Sequence, residues 1–336
     1  MTRVLVSQEI IEDALEEFEG TGITVDVRRD HRPLPPEELR GAAAGYDGLI
    51  CLLTDRIDAE FLAACPQLRV VAGVAVGFDN IDVAAATRAG VAVTNTPRVL
   101  TDATADLAFT LLLSTARRVP EGDAFLRGGQ YTHWRINQEQ LGVDVFGATL
   151  GLFGIGQIGR AVARRARGFE MTVLYHDVQR LAGEDERELG VTYVELVELL
   201  ARSDFVSVHA PLTDSTRHRF DAAAFAAMKP SAMLINTARG PIVDEAALAA
   251  ALRDGVIAGA GLDVYEHEPA VDPGLLELRE RVVLLPHLGS ATGTTRREMC
   301  RMAARNVRDA LLGRRPENLV NPEVADRLVA AGEGSG

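Results

Sequence analysis

Lysine is almost absent from this 336-residue chain: Lys229 stands alone, and arginine carries nearly all the positive charge. A skew of that kind reflects base composition rather than a binding surface. The three cysteines, Cys51, Cys65 and Cys300, lie far apart, with no C-x-x-C pair and no histidine at metal-ligand spacing. That excludes a disulfide framework and a zinc site, and no metal is expected. Aromatic residues are scarce at 5%, with a single tryptophan, Trp134. No apolar run approaches the roughly 18 residues of a membrane span. The opening MTRVLVSQEI also lacks the apolar core of a secretion signal. The reading is a cytoplasmic protein with no membrane partner. The formal charge of −13 opposes contact with nucleic acid or an anionic bilayer.

What is present is ample core material. Hydrophobic residues make up 47% and charged residues 25%, in a length that suits two domains. Residues 1–97 alternate strand-like and helix-like segments. Strands are expected at Val4–Val6, Ile23–Val27, Gly48–Leu53, Leu68–Val74 and Val91–Thr94. Helices are expected at Glu9–Phe18, Glu37–Ala44, Asp58–Ala64 and Ile81–Ala89, with His31–Pro36 a proline-rich loop. Such alternation means a parallel sheet with helices on both faces. Thr101 is placed to cap a long helix running to Arg117, and Gly128–Asp144 then breaks the pattern with an irregular arm around Trp134. Alternation resumes at Thr149, with strands expected at Asp204–His209, Met233–Asn236, Gly259–Asp263 and Val282–Leu284. A last helix, Thr294–Leu312, leads to the short apolar stretch Leu319-Val320-Asn321-Pro322, and the ending AAGEGSG reads as disordered. The fold class is α/β: two doubly wound parallel sheets with a cleft between them, where ligands meet the carboxyl ends of strands.

One stretch has the form strand, glycine turn, helix, strand, acid. An apolar run (Leu150, Leu152, Phe153) enters Gly154-Ile155-Gly156-Gln157-Ile158-Gly159. Ile158, Val162, Ala166 and Phe169 share a helix face, and Val173-Leu174-Tyr175 leads to Asp177. Gly154 permits a tight turn, Gly156 lets backbone approach a pyrophosphate, and Gly159 lets helix and strand pack closely. Helix-start N–H groups would face the phosphates, and Asp177 would take both ribose hydroxyls of an adenosine. An ordinary glycine-rich turn explains the glycines but not the acid. The stretch is a dinucleotide site, with NAD preferred to NADP because Asp177 repels a 2′-phosphate; His176 and Arg180 close by soften that preference.

Three further segments follow strands. Asn236-Thr237-Ala238-Arg239-Gly240 offers a planar guanidinium suited to bidentate capture of a carboxylate. Gly261 through Pro269, GLDVYEHEP, brings Glu268, and Leu285-Pro286-His287-Leu288-Gly289-Ser290 brings His287. A histidine can protonate a carbonyl oxygen as hydride reaches its carbon. A neighbouring carboxylate fixes its tautomer and keeps it charged near neutrality. Singly, Arg239, Glu268 and His287 have plain alternatives: a surface ion pair, a solvated loop acid, a capping histidine. Together, at strand ends around one nucleotide site, they describe a catalytic triad.

With the glycine fingerprint and GVAVGFDNID at 73–82, the segments NTARG, GLDVYEHEP and PHLGSAT resemble the D-isomer-specific 2-hydroxyacid dehydrogenase family over about residues 4–322. LTDATADLAFTLLLSTARR at 100–118 and the arm ending in Trp134 are most similar to its glyoxylate/hydroxypyruvate reductase branch. The resemblance implies an NAD(H)-dependent oxidoreductase that reduces a small 2-keto acid, with Arg239 as carboxylate clamp, His287 as acid/base and Glu268 as its partner. It implies that Thr104 and Asp263 touch the nicotinamide end and that Gln157, Ile158, Pro211, Thr237 and Gly289 also contact the dinucleotide. Leu53 and the N–H groups of Val76 and Gly77 would face substrate, and Trp134 would reach the partner's site in a homodimer. The implied domains are a discontinuous flavodoxin-like substrate domain (1–99 and 290–322), a Rossmann domain (100–289) and a tail (323–336). Glu268 differs from the glutamine of formate dehydrogenases. The loop Ala75-Val76-Gly77 lacks the lysine of phosphite dehydrogenases, and Ile50-Cys51-Leu52-Leu53 lacks the arginine of most phosphoglycerate dehydrogenases. A phosphoglycerate or broad D-2-hydroxyacid dehydrogenase remains the enzymic alternative. An NAD(H)-sensing corepressor-like interaction protein is the alternative from another class.

Overall fold

A computed structural model describes residues 1–30 and 32–328. The expected disorder of AAGEGSG, and the first residue of the loop His31–Pro36, lie outside the described residues. By contact density the chain divides into two units, Met1–Leu100 with the chain from Ala291 onward, and Thr101–Ser290.

The first unit is built on a parallel sheet of β1 (Arg3–Val6), β2 (Thr24–Val27), β3 (Gly48–Cys51), β4 (Val70–Gly73) and β5 (Ala92–Thr94), in the order β2-β1-β3-β4-β5. This is the flavodoxin-like winding, in which the strand order reverses beside the first strand. Successive side chains take opposite faces. Val4, Val6, Ile50, Val70 and Ala72 pack against Phe18 and the long helix Gly293–Leu311. Leu5, Leu49, Cys51, Val71 and Val93 pack against the helices Pro36–Ala43, Ala59–Ala64 and Val83–Ala89. Each large aliphatic side chain so buried contributes about 1.5–3 kcal/mol.

Two expectations change here. The segment expected as an α-helix from Glu9 is a 3-10 helix, Glu12–Phe18, whose N-cap is Ile11 with no side-chain hydrogen bond. Gln8, bonded through its amide nitrogen to Thr54 Oγ1 at 2.8 Å, holds the preceding chain out of a helix. The tail expected from residue 323 does not trail away over its described part. Val324 and Leu328 are buried in the same core as β1, because the sheet still has apolar surface to cover there.

The second unit has β6 (Thr149–Phe153), β7 (Thr172–His176), β8 (Val191–Tyr193), β9 (Phe205–Val208), β10 (Met233–Asn236), β11 (Gly259–Leu262) and β12 (Val282–Leu284). All pair in parallel in the order β12-β11-β10-β9-β6-β7-β8. This is the doubly wound dinucleotide fold extended by one strand, and its order reverses between β6 and β9. Leu150, Leu152, Phe205 and Ile235 face the helices Thr101–Ala116 and Gln157–Ala166, while Phe153, Val206, Val208 and Leu234 face the opposite layer. Thr101 is the first helical residue rather than the cap. Two elements escape a sequence reading. The strand β8 has three residues, too few to show a period. The helix Val119–Arg127 buries none of its side chains, so it carries no core-facing stripe.

Asn321 fastens the terminal stretch to the first sheet. Its Oδ1 accepts the Val93 N–H at 2.8 Å, and its Nδ2 donates to the Val91 carbonyl at 2.9 Å and to Thr87 Oγ1 at 3.0 Å. Leu319 pairs antiparallel with Thr94 beside it. Replacing Asn321 with alanine strands buried donors and acceptors, and urea unfolding should show a loss of about 2–4 kcal/mol. A loss under about 0.5 kcal/mol, the range of an ordinary surface substitution, would show that the fastening is incidental.

Candidate active site

The glycine turn follows β6, next to the reversal of strand order. Gly154 has φ +99°, and a Cβ there would lie 2.5 Å from the Ala210 amide nitrogen, so no other residue fits. At Gly159 a Cβ would meet the Gly154 carbonyl oxygen at 2.3 Å, whereas nothing lies within 4 Å of one at Gly156. The chain is therefore tightly packed at Gly159 and open at Gly156. Gly156 caps the helix Gln157–Ala166 without a side-chain bond, which leaves the amides of Gln157 and Ile158 available to an anion. Asp177 stands just past β7, its Oδ2 accepting the Ile155 N–H at 2.7 Å and its Oδ1 the Gln179 N–H at 3.3 Å. Gly156, Gln157, Asp177 and Arg180 line one depression. Behind the turn, His209 Nε2 meets Ser207 Oγ at 2.9 Å, and loss of solvent pushes its imidazole down to about 4. It is neutral at physiological pH and adds no charge to the turn.

The three candidate segments leave the adjacent strands β10, β11 and β12. Asn236, the last residue of β10, shapes NTARG with both ends of its amide: Oδ1 accepts the Ala238 N–H at 3.0 Å and Nδ2 donates to the Arg239 carbonyl at 3.0 Å. Arg239 Nη1 donates to the Ala238 carbonyl at 2.8 Å. A Cβ on Gly240 would overlap the Tyr265 carbonyl carbon at 1.8 Å, so this loop lies directly against the next.

His287 Nδ1 and Glu268 Oε2 are 2.8 Å apart. With the carboxylate ionised, Nδ1 carries the proton and Nε2 is left for chemistry. Glu268 Oε1 accepts the Tyr265 N–H at 3.0 Å. Burial pushes the Glu268 carboxyl upward, but the hydrogen bond and charge of His287, the Tyr265 amide and the Arg239 charge outweigh it. The group therefore ionises below its ordinary value. His287 itself has φ +54°, in the left-handed region. A non-glycine residue held there costs on the order of 1–3 kcal/mol, a cost met where surrounding structure over-determines the conformation.

That structure is Asp263, which has no exposed surface. Its Oδ1 accepts the Leu288 N–H at 2.6 Å and its Oδ2 the Gly289 N–H at 2.8 Å, while its carbonyl accepts the His287 N–H at 2.9 Å. Burial raises the Asp263 carboxyl above its usual range against the pull of those amides and of His287. Thr104 Oγ1 donates to the Gly289 carbonyl at 3.2 Å, and the Tyr265 hydroxyl to the Leu285 carbonyl at 2.8 Å. Thr104 and Asp263, expected at the nicotinamide end, hold the histidine loop from behind.

The structure thus brings Arg239, Asp263, Glu268, His287 and Gly289 to the carboxyl ends of β10, β11 and β12, with Thr104 bonded to the last of them. Thr237 lies in the NTARG loop, and its buried Oγ1 has no hydrogen-bond partner among the described residues. Pro211 follows β9 and gives its carbonyl to Thr216 Oγ1 at 2.8 Å. Leu53, Val76 and Gly77 belong to the first unit, just past β3 and β4, with the Val76 carbonyl taken by Asn95 Nδ2 at 2.8 Å. Trp134 is 68% exposed on its arm.

Sequence reasoning missed Asn236, Asp263's grip on the loop, and Glu245. Glu245 is buried; its Oε1 accepts the Glu266 N–H and its Oε2 the Asp272 N–H at 3.1 Å, bracing the loop that carries Glu268. A polar residue closing an apolar strand was the signal for Asn236. For Glu245, in an alanine-rich helix, there was none. The open space at Gly156, the uncapped helix start and the orphaned Thr237 hydroxyl fit a nicotinamide dinucleotide. Gly156, Gln157, Ile158 and Asp177 would hold its phosphates and adenosine ribose.

Residues 109–289 match the family model described as D-isomer specific 2-hydroxyacid dehydrogenase, NAD binding domain. Over 324 residues the chain is 50% identical to the glyoxylate reductase of Korarchaeum cryptofilum (strain OPF8), spanning 96% of each. Its structure is similar to the TT0316 protein from Thermus thermophilus, with TM-score 0.89 and 44% identity over 95% of this chain and 100% of the other. It is also similar to an NADPH-dependent glyoxylate/hydroxypyruvate reductase from Sinorhizobium meliloti, solved with NADP and malonate, with TM-score 0.83 and 36% identity over 96% and 98%. The chain belongs to the D-isomer specific 2-hydroxyacid dehydrogenase family. It is an oxidoreductase acting on a CH–OH group and using a nicotinamide cofactor. Among the described residues no helix is long and apolar enough to cross a membrane.

Proposed function

We propose that the chain reduces glyoxylate or hydroxypyruvate to the corresponding D-2-hydroxy acid, using NADH in preference to NADPH. The observation that carries this reading is the His287–Glu268 pair at 2.8 Å, at the ends of the strands that also present Arg239. The relative from Korarchaeum cryptofilum, a glyoxylate reductase, supports the substrate class.

The bound dinucleotide would supply the hydride. Arg239 takes the substrate carboxylate through its planar fork and polarises the adjacent ketone. His287 gives its Nε2 proton to the carbonyl oxygen as that oxygen becomes a hydroxyl, and Glu268 keeps Nδ1–H in place and balances the imidazolium. Thr237 and Pro211 are assigned to the dinucleotide, and Leu53 with the amides of Val76 and Gly77 to the substrate. Asp177 favours NADH, since a 2′-phosphate would meet like charge there.

Steady-state reduction of a panel of 2-keto acids with NADH and NADPH tests the reading. Glyoxylate and hydroxypyruvate should lead, and NADH should give the higher kcat/KM. Arg239→Lys should lose on the order of a hundredfold in kcat/KM, because a point charge cannot reproduce two parallel hydrogen bonds, with the KM for NADH near wild type. Wild-type kcat/KM in the lysine variant would remove the clamp from the mechanism.

The protein is further assigned as a homodimer formed through the arm. Leu126, Tyr131, Trp134, Ile136, Leu141 and Phe146 are all exposed within one short stretch, an apolar concentration that marks an interaction surface. The arm is tied back to its own unit at Val143, whose N–H reaches the Ala116 carbonyl at 2.9 Å, and at Glu139, whose carbonyl takes Arg118 Nη1 at 2.6 Å. Sedimentation should report a dimer. Trp134→Ala should alter the preference among keto acids of different size without changing NADH affinity. A monomer at assay concentration, or an unchanged preference, would refute the assignment.

A further inference from the structure

We propose that Glu186 withholds Arg180 from the 2′-phosphate of NADP(H), so that the coenzyme preference depends on two acids, Asp177 and Glu186, rather than on Asp177 alone. The inference rests on the NADH reading above and adds the residue that enforces it from outside the nucleotide pocket.

Arg180 lies three residues past Asp177 and lines the same depression. A guanidinium there would ordinarily be the natural partner of a 2′-phosphate. In this chain it is already committed: Nε donates to Glu186 Oε1 at 2.9 Å and Nη2 to Glu186 Oε2 at 3.0 Å. This is a two-point fork of the kind a phosphate would have to break. Glu186 is itself fixed. The hydroxyl of Tyr175, a fully buried residue of β7, donates to Glu186 Oε1 at 2.8 Å and accepts the Leu181 N–H at 2.9 Å. The Arg180 guanidinium also lies 5.5 Å from the centre of the Tyr193 ring, which holds its flat face in position. The other arginine lining the depression, Arg160, is paired with Asp185 at 3.3 Å. Asp185 and Glu186, consecutive on the helix Gly183–Leu189, therefore occupy the two cations that a phosphate could use. Asp177 accepts the Ile155 and Gln179 amides, and among the described residues no ion pair joins it to either arginine. Glu186 does not itself line the depression and acts through Arg180. It is a positioning residue for specificity.

The test compares AMP with adenosine 2′,5′-bisphosphate as inhibitors of NADH-dependent reduction, since the two differ only in the 2′-phosphate. Glu186→Gln keeps an acceptor for the Tyr175 hydroxyl and removes the charge that holds Arg180. It should strengthen inhibition by the bisphosphate about tenfold relative to AMP, the size of one charge-assisted hydrogen bond at a partly exposed site. It should raise kcat/KM for NADPH to a similar extent and leave the KM for NADH near wild type. Adding Arg180→Met should erase the gain. Arg180→Met alone should leave bisphosphate inhibition unchanged, because the arginine is already occupied. An unaltered inhibitor ratio in Glu186→Gln, a gain that survives Arg180→Met, or weaker bisphosphate inhibition in Arg180→Met alone would each overturn the proposal. A wild-type preference for NADPH would remove the NADH reading, and the assignment of Glu186 would still be decided by the inhibitor ratio.

Discussion

A carboxylate with no exposed surface, Asp263, holds the main chain that carries His287, the proposed acid. Its two oxygens take the amides of Leu288 and Gly289, and its carbonyl takes that of His287, so three consecutive residues of one loop hang from a single strand end. Burying an anion is costly unless hydrogen bonds replace the lost water. Here those bonds come from the loop that must be held still, and the cost of burial and the precision of the site are one arrangement. Without that hold, His287 would relax from its left-handed conformation, and Nδ1 would leave Glu268. Because β10, β11 and β12 are adjacent and parallel, the loops carrying Arg239, Glu268 and His287 emerge from the same, carboxyl, end of the strands. A parallel sheet thus makes neighbours of three stretches that are distant in sequence.

The two proposed functions of the second unit rest on different physics. At the proposed catalytic end, Glu268 is bonded to His287 and feels the Arg239 charge. At the proposed nucleotide end the available groups are backbone amides and empty space, with Gly156 open and the helix after it uncapped. Side-chain charge is confined to the rim, where Asp177 and the acids of the helix Gly183–Leu189 set its sign. Chemistry at a carbonyl needs a proton held at one atom, whereas a pyrophosphate spreads its charge over many oxygens and is met better by several N–H groups.

Much of this was legible in the sequence. Met233–Asn236 and Val282–Leu284 are strands with the expected ends; both are short apolar runs with clear boundaries. The roles of Gly154 and Gly159 follow from chain geometry that no other residue tolerates, and the strand, helix and acid around them mark the spacing as a nucleotide turn. What stayed hidden depends on tertiary partners. Nothing in EAALAAALR says that Glu245 is buried under the Glu268 loop, and nothing in YHDVQRLAGEDE says which acid Arg180 will choose. The helix Val119–Arg127 buries none of its side chains and so lacked the stripe by which helices are recognised. The residues from 323 to 328 read as a polar tail until the apolar demand of the first sheet is seen.

The central claim is that the Glu268 carboxylate, kept ionised by the hydrogen bond and charge of His287 and by its other neighbours, fixes the Nδ1–H of His287 and leaves Nε2 for the substrate. The pH dependence of kcat/KM for glyoxylate reduction, measured for the wild-type enzyme and for Glu268→Gln, tests it most directly. Because Glu268 ionises below its ordinary value, it is charged at neutrality and takes up a proton only as pH falls into the acid range, where wild-type activity should decline. Glutamine cannot titrate, so in the variant that acid limb should vanish and kcat/KM at neutral pH should be lower. An acid limb that persists in the variant, or an undiminished kcat/KM at neutral pH, would contradict the account.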